Sequence, residues 1–171
     1  MLKYDLDRYI KNPKLVEDKV KEFIKLGIIK KQYKDEQEIQ GHLLKSNHNL
    51  DFVLDAINLG YLDWAITGCY YAAYHAALSL IITRGYSSKN HLATLLILIQ
   101  EFYENGLDKD DIRTFISLLD YQDILFYVES KNKREDATYS TKTIYTKKEV
   151  EDLRLKSVLF VSKVKEIMEF N

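Results

Sequence analysis

In the stretch GCYYAAYHAALSLII, Tyr71 and His75 stand four residues apart, a spacing that puts both on one face of a helix. An imidazole titrates near neutral pH and can serve as acid, base or ligand, and a phenol beside it can donate a hydrogen bond. The reading favoured for the pair is a buried, hydrogen-bonded one that holds the bundle interface. Tyrosine and histidine carry an apolar body with a polar tip that finds a partner when enclosed. Metal chemistry has little to stand on. His42 and His48 are six apart and do not share a helix face, and no H-E-x-x-H or C-x-x-C pattern occurs, so no metal site is expected. The chain has no glycine-rich phosphate loop, and no cofactor is expected. Cys69 lies among small residues inside an apolar stretch and reads as an inert core thiol.

A different chemistry is suggested between Lys131 and Lys148. Lys131, Lys133, Arg134, Lys142, Lys147 and Lys148 face only Glu135 and Asp136 there, a local charge of +4, with Tyr139 and Tyr145 interleaved. Cations mixed with aromatic rings suit single-stranded nucleic acid, through phosphate contacts and base stacking. A solvated, charged loop would read the same way. Lys25, Lys30, Lys31 and Lys34 form a second basic run, followed at once by acidic residues. The whole chain has 25 basic and 26 acidic residues for a net charge of −1, so any polyanion site has to be a local patch.

The elements that must position these residues are helical. A chain of 171 residues with one proline and six glycines is poorly punctuated, which favours long helices. Asn12 and Pro13 form a cap and first-turn pair opening a helix that ends near Gly27. A second helix runs from about Asp35 to Leu59 and stops at Gly60. The third begins near Asp63 and ends at Gly85. Ser87 or Ser88 is expected to cap the fourth, which carries LATLLILI. Asp108 opens the fifth, residues 128 to 145 read as a long loop, and Thr146 with Glu149 makes a capping box for the last helix. The expected architecture is an all-α, antiparallel bundle of five to six helices over residues 35–171, with residues 1–34 as an N-terminal helical extension. Ala65–Ile82 carries no Asp, Glu, Lys or Arg, but the polar and small residues through its middle point to a helix buried in the bundle rather than a membrane span. A single cysteine and a charged N-terminus without a leader pattern fit a reducing, cytoplasmic setting.

The segment GYLDWAITGCYYAAYHAALSLIITRGYSSKNH, from Gly60 to His91, resembles the central helix pair of prokaryotic HEPN-domain proteins. The carriers of the resemblance are the tyrosine pair Tyr70 and Tyr71, His75 with its small neighbours, the turn at Gly85, and the Lys-x-His step at Lys89 and His91. The stretch GHLLKSNHNLDFVLDAINLG and the Arg134–Tyr139 segment fit as well. The resemblance implies a HEPN-like helical bundle that pairs into a homodimer, associated with RNA, in a toxin–antitoxin or defence system. Active relatives are metal-independent ribonucleases, often partnered by a small nucleotidyltransferase-type antitoxin, whose signature is an arginine followed after four to six residues by a histidine.

Two places compare with that signature. Arg134 and Tyr139 lie late in the chain, as the family pattern asks, with Glu135 as the polar neighbour, but a tyrosine stands where the histidine would be. With a reference pKa near 10, a phenol is a poor base at neutral pH. Arg84 and His91 have the right types and spacing, but glycine follows the arginine and the pair lies in a turn between helices. The RNA-binding set implied is Lys131, Lys133, Arg134, Lys142, Tyr145 and Lys147. Two readings of another kind stand beside this one: a non-catalytic dimeric interaction module partnering a nucleotidyltransferase, and a small-nucleotide-binding protein.

Overall fold

The structure, a computed structural model, describes residues 5–134 and 145–169, with side chains described for 5–121 and 145–169. Seven helices occur among them: α1 (Leu6–Lys11), α2 (Pro13–Lys25), α3 (Glu36–Asn58), α4 (Leu62–Ile82), α5 (His91–Phe102), α6 (Lys109–Arg134) and α7 (Lys147–Glu169). Six correspond to the helices expected, and α1 is an added short one. Two three-residue strands, β1 (Ile29–Lys31) and β2 (Tyr86–Ser88), pair antiparallel in a ribbon. Apart from this ribbon and an isolated bridge between Tyr103 and Leu107, the regular structure among the described residues is helical.

Local chemistry accounts for most helix ends. The Asn12 side chain accepts from the Leu15 amide, and Pro13 follows at the first helical position, where a missing N–H costs nothing. Asp35 accepts from the amides of Gln37 and Glu38 to open α3. Gly60, at φ +82°, closes α3 with the Tyr61 amide donating to the Ala56 carbonyl, a backbone path that other residues adopt only under strain. Thr146 and Glu149 form the reciprocal box: Glu149 accepts from the Thr146 amide at 2.7 Å and the Thr146 hydroxyl from the Glu149 amide at 3.3 Å.

The fourth expected cap is different. Ser87 and Ser88 lie in β2, and Asn90 caps α5 by accepting from the Ala93 amide at 2.9 Å. The serines are engaged by long-range pairing instead, Ser87 with Lys30 and Ser88 with Ile29. Gly85, at φ +75°, makes that possible, because its carbonyl accepts from Gln32 and a Cβ there would stand 2.8 Å from the Gln32 carbonyl oxygen. Of the loop expected over 128 to 145, residues 128–134 belong instead to α6, which continues to Arg134, and residues 135–144 lie outside the described residues.

The core is organised around α4. Fourteen of its residues, from Ala65 to Ile82, are buried. Of the described helices, α4 alone is long and apolar enough to cross a membrane; here its length is enclosed by other helices. α3 runs antiparallel beside it, with Ser46 Oγ donating to the Ala72 carbonyl at 2.7 Å, and α7 runs parallel, with Ser157 Oγ donating to the Cys69 carbonyl at 2.9 Å. Both serines are fully buried, so each hydroxyl must find a partner, and each finds it on α4. Phe115 of α6 and Phe160 of α7 stack with ring centroids 5.2 Å apart. Full burial of such side chains is worth about 1.5–3 kcal/mol each. Lys109 at the start of α6 pairs with Asp7 of α1 at 2.6 Å, and β1 buries Ile29, so the first helices and the ribbon are seated on the same body.

Gly68 lets α3 and α4 approach closely. A Cβ there would stand 2.6 Å from Val53 Cγ2 and 3.2 Å from Phe52 Cδ1, whereas one at Gly41 of α3 would meet nothing within 4 Å. Gly68→Val should therefore destabilise by about 1–3 kcal/mol through overpacking. Gly41→Ala should stabilise by up to about 1 kcal/mol through helix propensity. Thermal unfolding checks both: the melting temperature falls for the first variant and rises for the second.

Candidate functional site

Three of the chain's four histidines converge on the tyrosine face of α4. Helical spacing sets Tyr70, Tyr71, Tyr74 and His75 along one side. The antiparallel register of α3 brings His42 opposite His75, and α5 starts with His91 beside Tyr70. His42 Nδ1 and His75 Nδ1 lie 2.9 Å apart, so one ring donates to the other. The Tyr70 hydroxyl and His91 Nε2 lie 2.6 Å apart and share a proton in the same sense. The rings are packed as well: Tyr70 stacks on Tyr74 at 5.6 Å, and His91 meets Tyr74 edge-on at 5.0 Å.

This cluster is held together by burial, and burial sets its titration. Desolvation, followed by the neighbouring His42 and Lys45, pushes His75 down to about 4. Burial lowers His42 too, partly offset by Glu38, whose Oε1 lies 3.9 Å from His42 Nε2. Both rings are thus held neutral at pH 7. Burial also raises the Tyr74 phenol, and the neighbouring Thr94 opposes the rise. His42 and His75 can hold a hydrogen bond or exclude water, but at neutral pH neither has a charged acid to give. The Cys69 thiol, fully buried and pushed up to about 12 by desolvation, is inert as expected.

The expected residues fall in several places. Tyr71 and His75 do sit together, rings stacked with centroids 6.3 Å apart, Tyr71 42% exposed and His75 turned to His42. Arg84 and His91 engage different partners: the Arg84 guanidinium lies over the Phe102 ring at 5.4 Å, while His91 is bound to Tyr70. Lys131, Lys133 and Arg134 form the last turn of α6, their side chains outside those described, and Tyr139 and Lys142 lie outside the described residues. Tyr145 is half-buried 6.0 Å from Tyr121, and burial raises its phenol. Lys147 is exposed, 3.8 Å from Glu151. The residue missed from the sequence is His42. On its own helix the sequence offers it only His48, and its partner is 33 residues away, set by the α3–α4 register.

Two clefts open on the bundle, one of them reaching His42. One, of about 580 Å³, is lined by His42, Glu38, Lys30, Lys89, Ser87 and Ser88 over a floor of Leu78, Ile81 and Ile82. The other, of about 420 Å³, gathers Arg84, Lys34, Lys165 and Asn47 beside Leu44 and Met168. Among the described residues, no group of three histidine, cysteine or carboxylate side chains could hold a metal ion.

The histidine pair has a consequence for pH dependence. His75 binds its proton more weakly when folded than unfolded, so the unfolded chain takes up a proton first as pH falls. Stability from this source is intact above about 6.5 and is lost progressively toward about 4. Urea midpoints for the wild type should fall between pH 7 and pH 4.5 more steeply than those of His75→Gln. Parallel slopes would remove His75 as the cause.

The family model for the HEPN domain matches residues 39–167, from within α3 to near the end of α7. A protein of Methanocaldococcus jannaschii named "Putative toxin MJ0142" is 25% identical over 146 residues, spanning 85% of this chain and 90% of that protein. The match takes in the bundle from α3 onward, including α4 and the histidines paired on it, and this chain belongs to the HEPN-domain family.

Proposed function

We propose that this chain is the toxin-side component of a cytoplasmic toxin–antitoxin or defence system and that its target is RNA, held by the segment from Lys131 to Lys148. The observation that carries the reading is the similarity over 85% of this chain to the protein named "Putative toxin MJ0142", within a shared domain family. The local charge of +4 and the interleaved Tyr139 and Tyr145 support RNA as the ligand. In this reading the last turn of α6 carries Lys131, Lys133 and Arg134 to the phosphates. Arg134 steadies the charge that develops on a reacting phosphate, and Tyr139 holds or protonates a nearby oxygen. The protein acts as a homodimer, with Phe52, Trp64 and Tyr71, all exposed on neighbouring stretches of α3 and α4, as the face that pairs. A nucleotidyltransferase-type protein is the partner that restrains it.

One observation favours a second reading. The chain has no histidine after His91, and three of its four imidazoles are tied up in the buried cluster. The late arginine has no imidazole near it in sequence to take the 2′-hydroxyl proton. A non-catalytic dimeric module that binds RNA or a nucleotidyltransferase is the alternative.

Three results test these statements. Light scattering should give twice the 20.1 kDa of one chain. Labelled single-stranded RNA should bind with an affinity that falls steeply with salt, and Lys133→Ala, Arg134→Ala and Lys142→Ala together should weaken it several-fold. If the protein cleaves that RNA in the presence of a chelator, Arg134→Ala should abolish cleavage and Tyr139→His should raise it at neutral pH. Loss of cleavage in His91→Ala with Arg134→Ala still active would move the site to Arg84 and His91. Binding without any cleavage makes the interaction module the account that stands, and no binding at all removes RNA from it.

A further inference from the structure

The basic run at residues 25–34 lies before the family-matched region, and the function proposed above leaves it unused. The fold gives it a partner. β1 pairs with β2 so that Lys30 faces Ser87, one residue before Ser88 and two before Lys89. Alternation along the strands sorts the side chains: Ile29, Tyr86 and Ser88 are buried toward the core, while Lys30 and Ser87 take the other face. That face borders the cleft of about 580 Å³, and Lys89 lines it from the far side of the ribbon.

The lining is suited to a phosphate-bearing chain. Neither Lys30 nor Lys89 makes an ion pair among the described residues. Two lysines face one acid at the cleft, Glu38, which accepts from the Gln32 side-chain amide at 2.8 Å and lies 3.9 Å from His42. His42 offers a neutral ring on one wall, and Leu78, Ile81 and Ile82 form an apolar floor. The volume lies within the roughly 300–1,000 Å³ typical of small-ligand sites, enough for a base with its sugar. Tyr33, 96% exposed just past β1, offers a ring face to a neighbouring base.

We infer that the cleft under the β1–β2 ribbon is a second holding site for single-stranded RNA, with Lys30 and Lys89 on backbone phosphates and one base over the apolar floor. It rests on RNA being the target, and it is separate from the Lys131–Lys148 segment. An acidic peptide would meet the lysines equally well but would have no use for the apolar floor or the exposed ring, so RNA is the occupant these features favour.

The test uses the full chain and a labelled ten-nucleotide polyuridine followed by fluorescence anisotropy across a salt series. Lys30→Glu with Lys89→Glu should weaken binding about tenfold or more and lower the salt slope by about 1.4, two contacts at about 0.7 each for a single strand. Tyr33→Ala should weaken binding at every salt concentration without changing the slope, as loss of stacking requires. Lys14→Glu with Lys156→Glu, the same charge change at exposed sites elsewhere, should leave the affinity within about twofold. Circular dichroism confirms that each variant is folded. An unchanged affinity in the ribbon variant, alongside weakening by Lys133→Ala, Arg134→Ala and Lys142→Ala, overturns this inference and leaves the proposed function intact. Equal weakening by the control pair, or a polyglutamate peptide displacing the RNA at matched charge, also overturns it. Absence of binding by the wild type overturns both.

Discussion

From Ala65 to Ile82 the chain offers no charged side chain, and the rest of the bundle is arranged to enclose that length. A helix apolar on all sides must be covered on all sides. α3, α5, α6 and α7 supply that cover, and small residues let them approach: Gly68 admits Val53, and Ala72, Ala73, Ala76 and Ala77 are fully buried. Close approach brings neighbouring polar groups against the α4 backbone, where Ser46 and Ser157 donate to carbonyls of α4 that already serve its own ladder. These two bonds lock α3 and α7 in register, because a slip of either helix would leave a buried hydroxyl unsatisfied, at roughly 1–3 kcal/mol.

The same enclosure decides where chemistry can occur. The histidines and tyrosines that look most reactive in the sequence lie on or against α4, and burial pairs them with one another: His42 with His75, Tyr70 with His91. These contacts lie across the α3–α4 and α4–α5 interfaces. Groups that can meet a large polyanion are pushed to the periphery, to the end of α6 and to the ribbon that joins the first helices to the start of α5. The proposed RNA contacts at the end of α6 and on the ribbon follow the general placement of binding groups on loops and element ends.

Much of the fold was legible because its signals are local. Asn12–Pro13, Asp35 and the Thr146–Glu149 box each act within four residues, and each opens a helix where expected. The misreadings are those where a distant segment competes. Ser87 and Ser88 are good capping residues, yet Lys30 and Ile29 claim them for a strand pair, and the cap moves to Asn90. α6 outlasts its apolar pattern, so a stretch of mixed polarity read as a loop is helical to Arg134. In the candidate site, Tyr71 and His75 were visible as neighbours, but His42 was not, since the pairing depends on how two helices align. Composition likewise could not show that Lys30 and Lys89, 59 positions apart, line one cleft.

The central claim is that the chain holds RNA through cations at its periphery and not through the tyrosine face of α4, Tyr70, Tyr71 and Tyr74. Ultraviolet crosslinking of the full chain to a short photoreactive single-stranded RNA, with the attached peptides identified by mass spectrometry, measures this directly. The account predicts crosslinks in the peptides carrying Tyr33 and in those carrying Tyr139 and Tyr145, lost at high salt. Crosslinks confined to the Tyr70, Tyr71 and Tyr74 side chains of α4, or none above a denatured control, would contradict it.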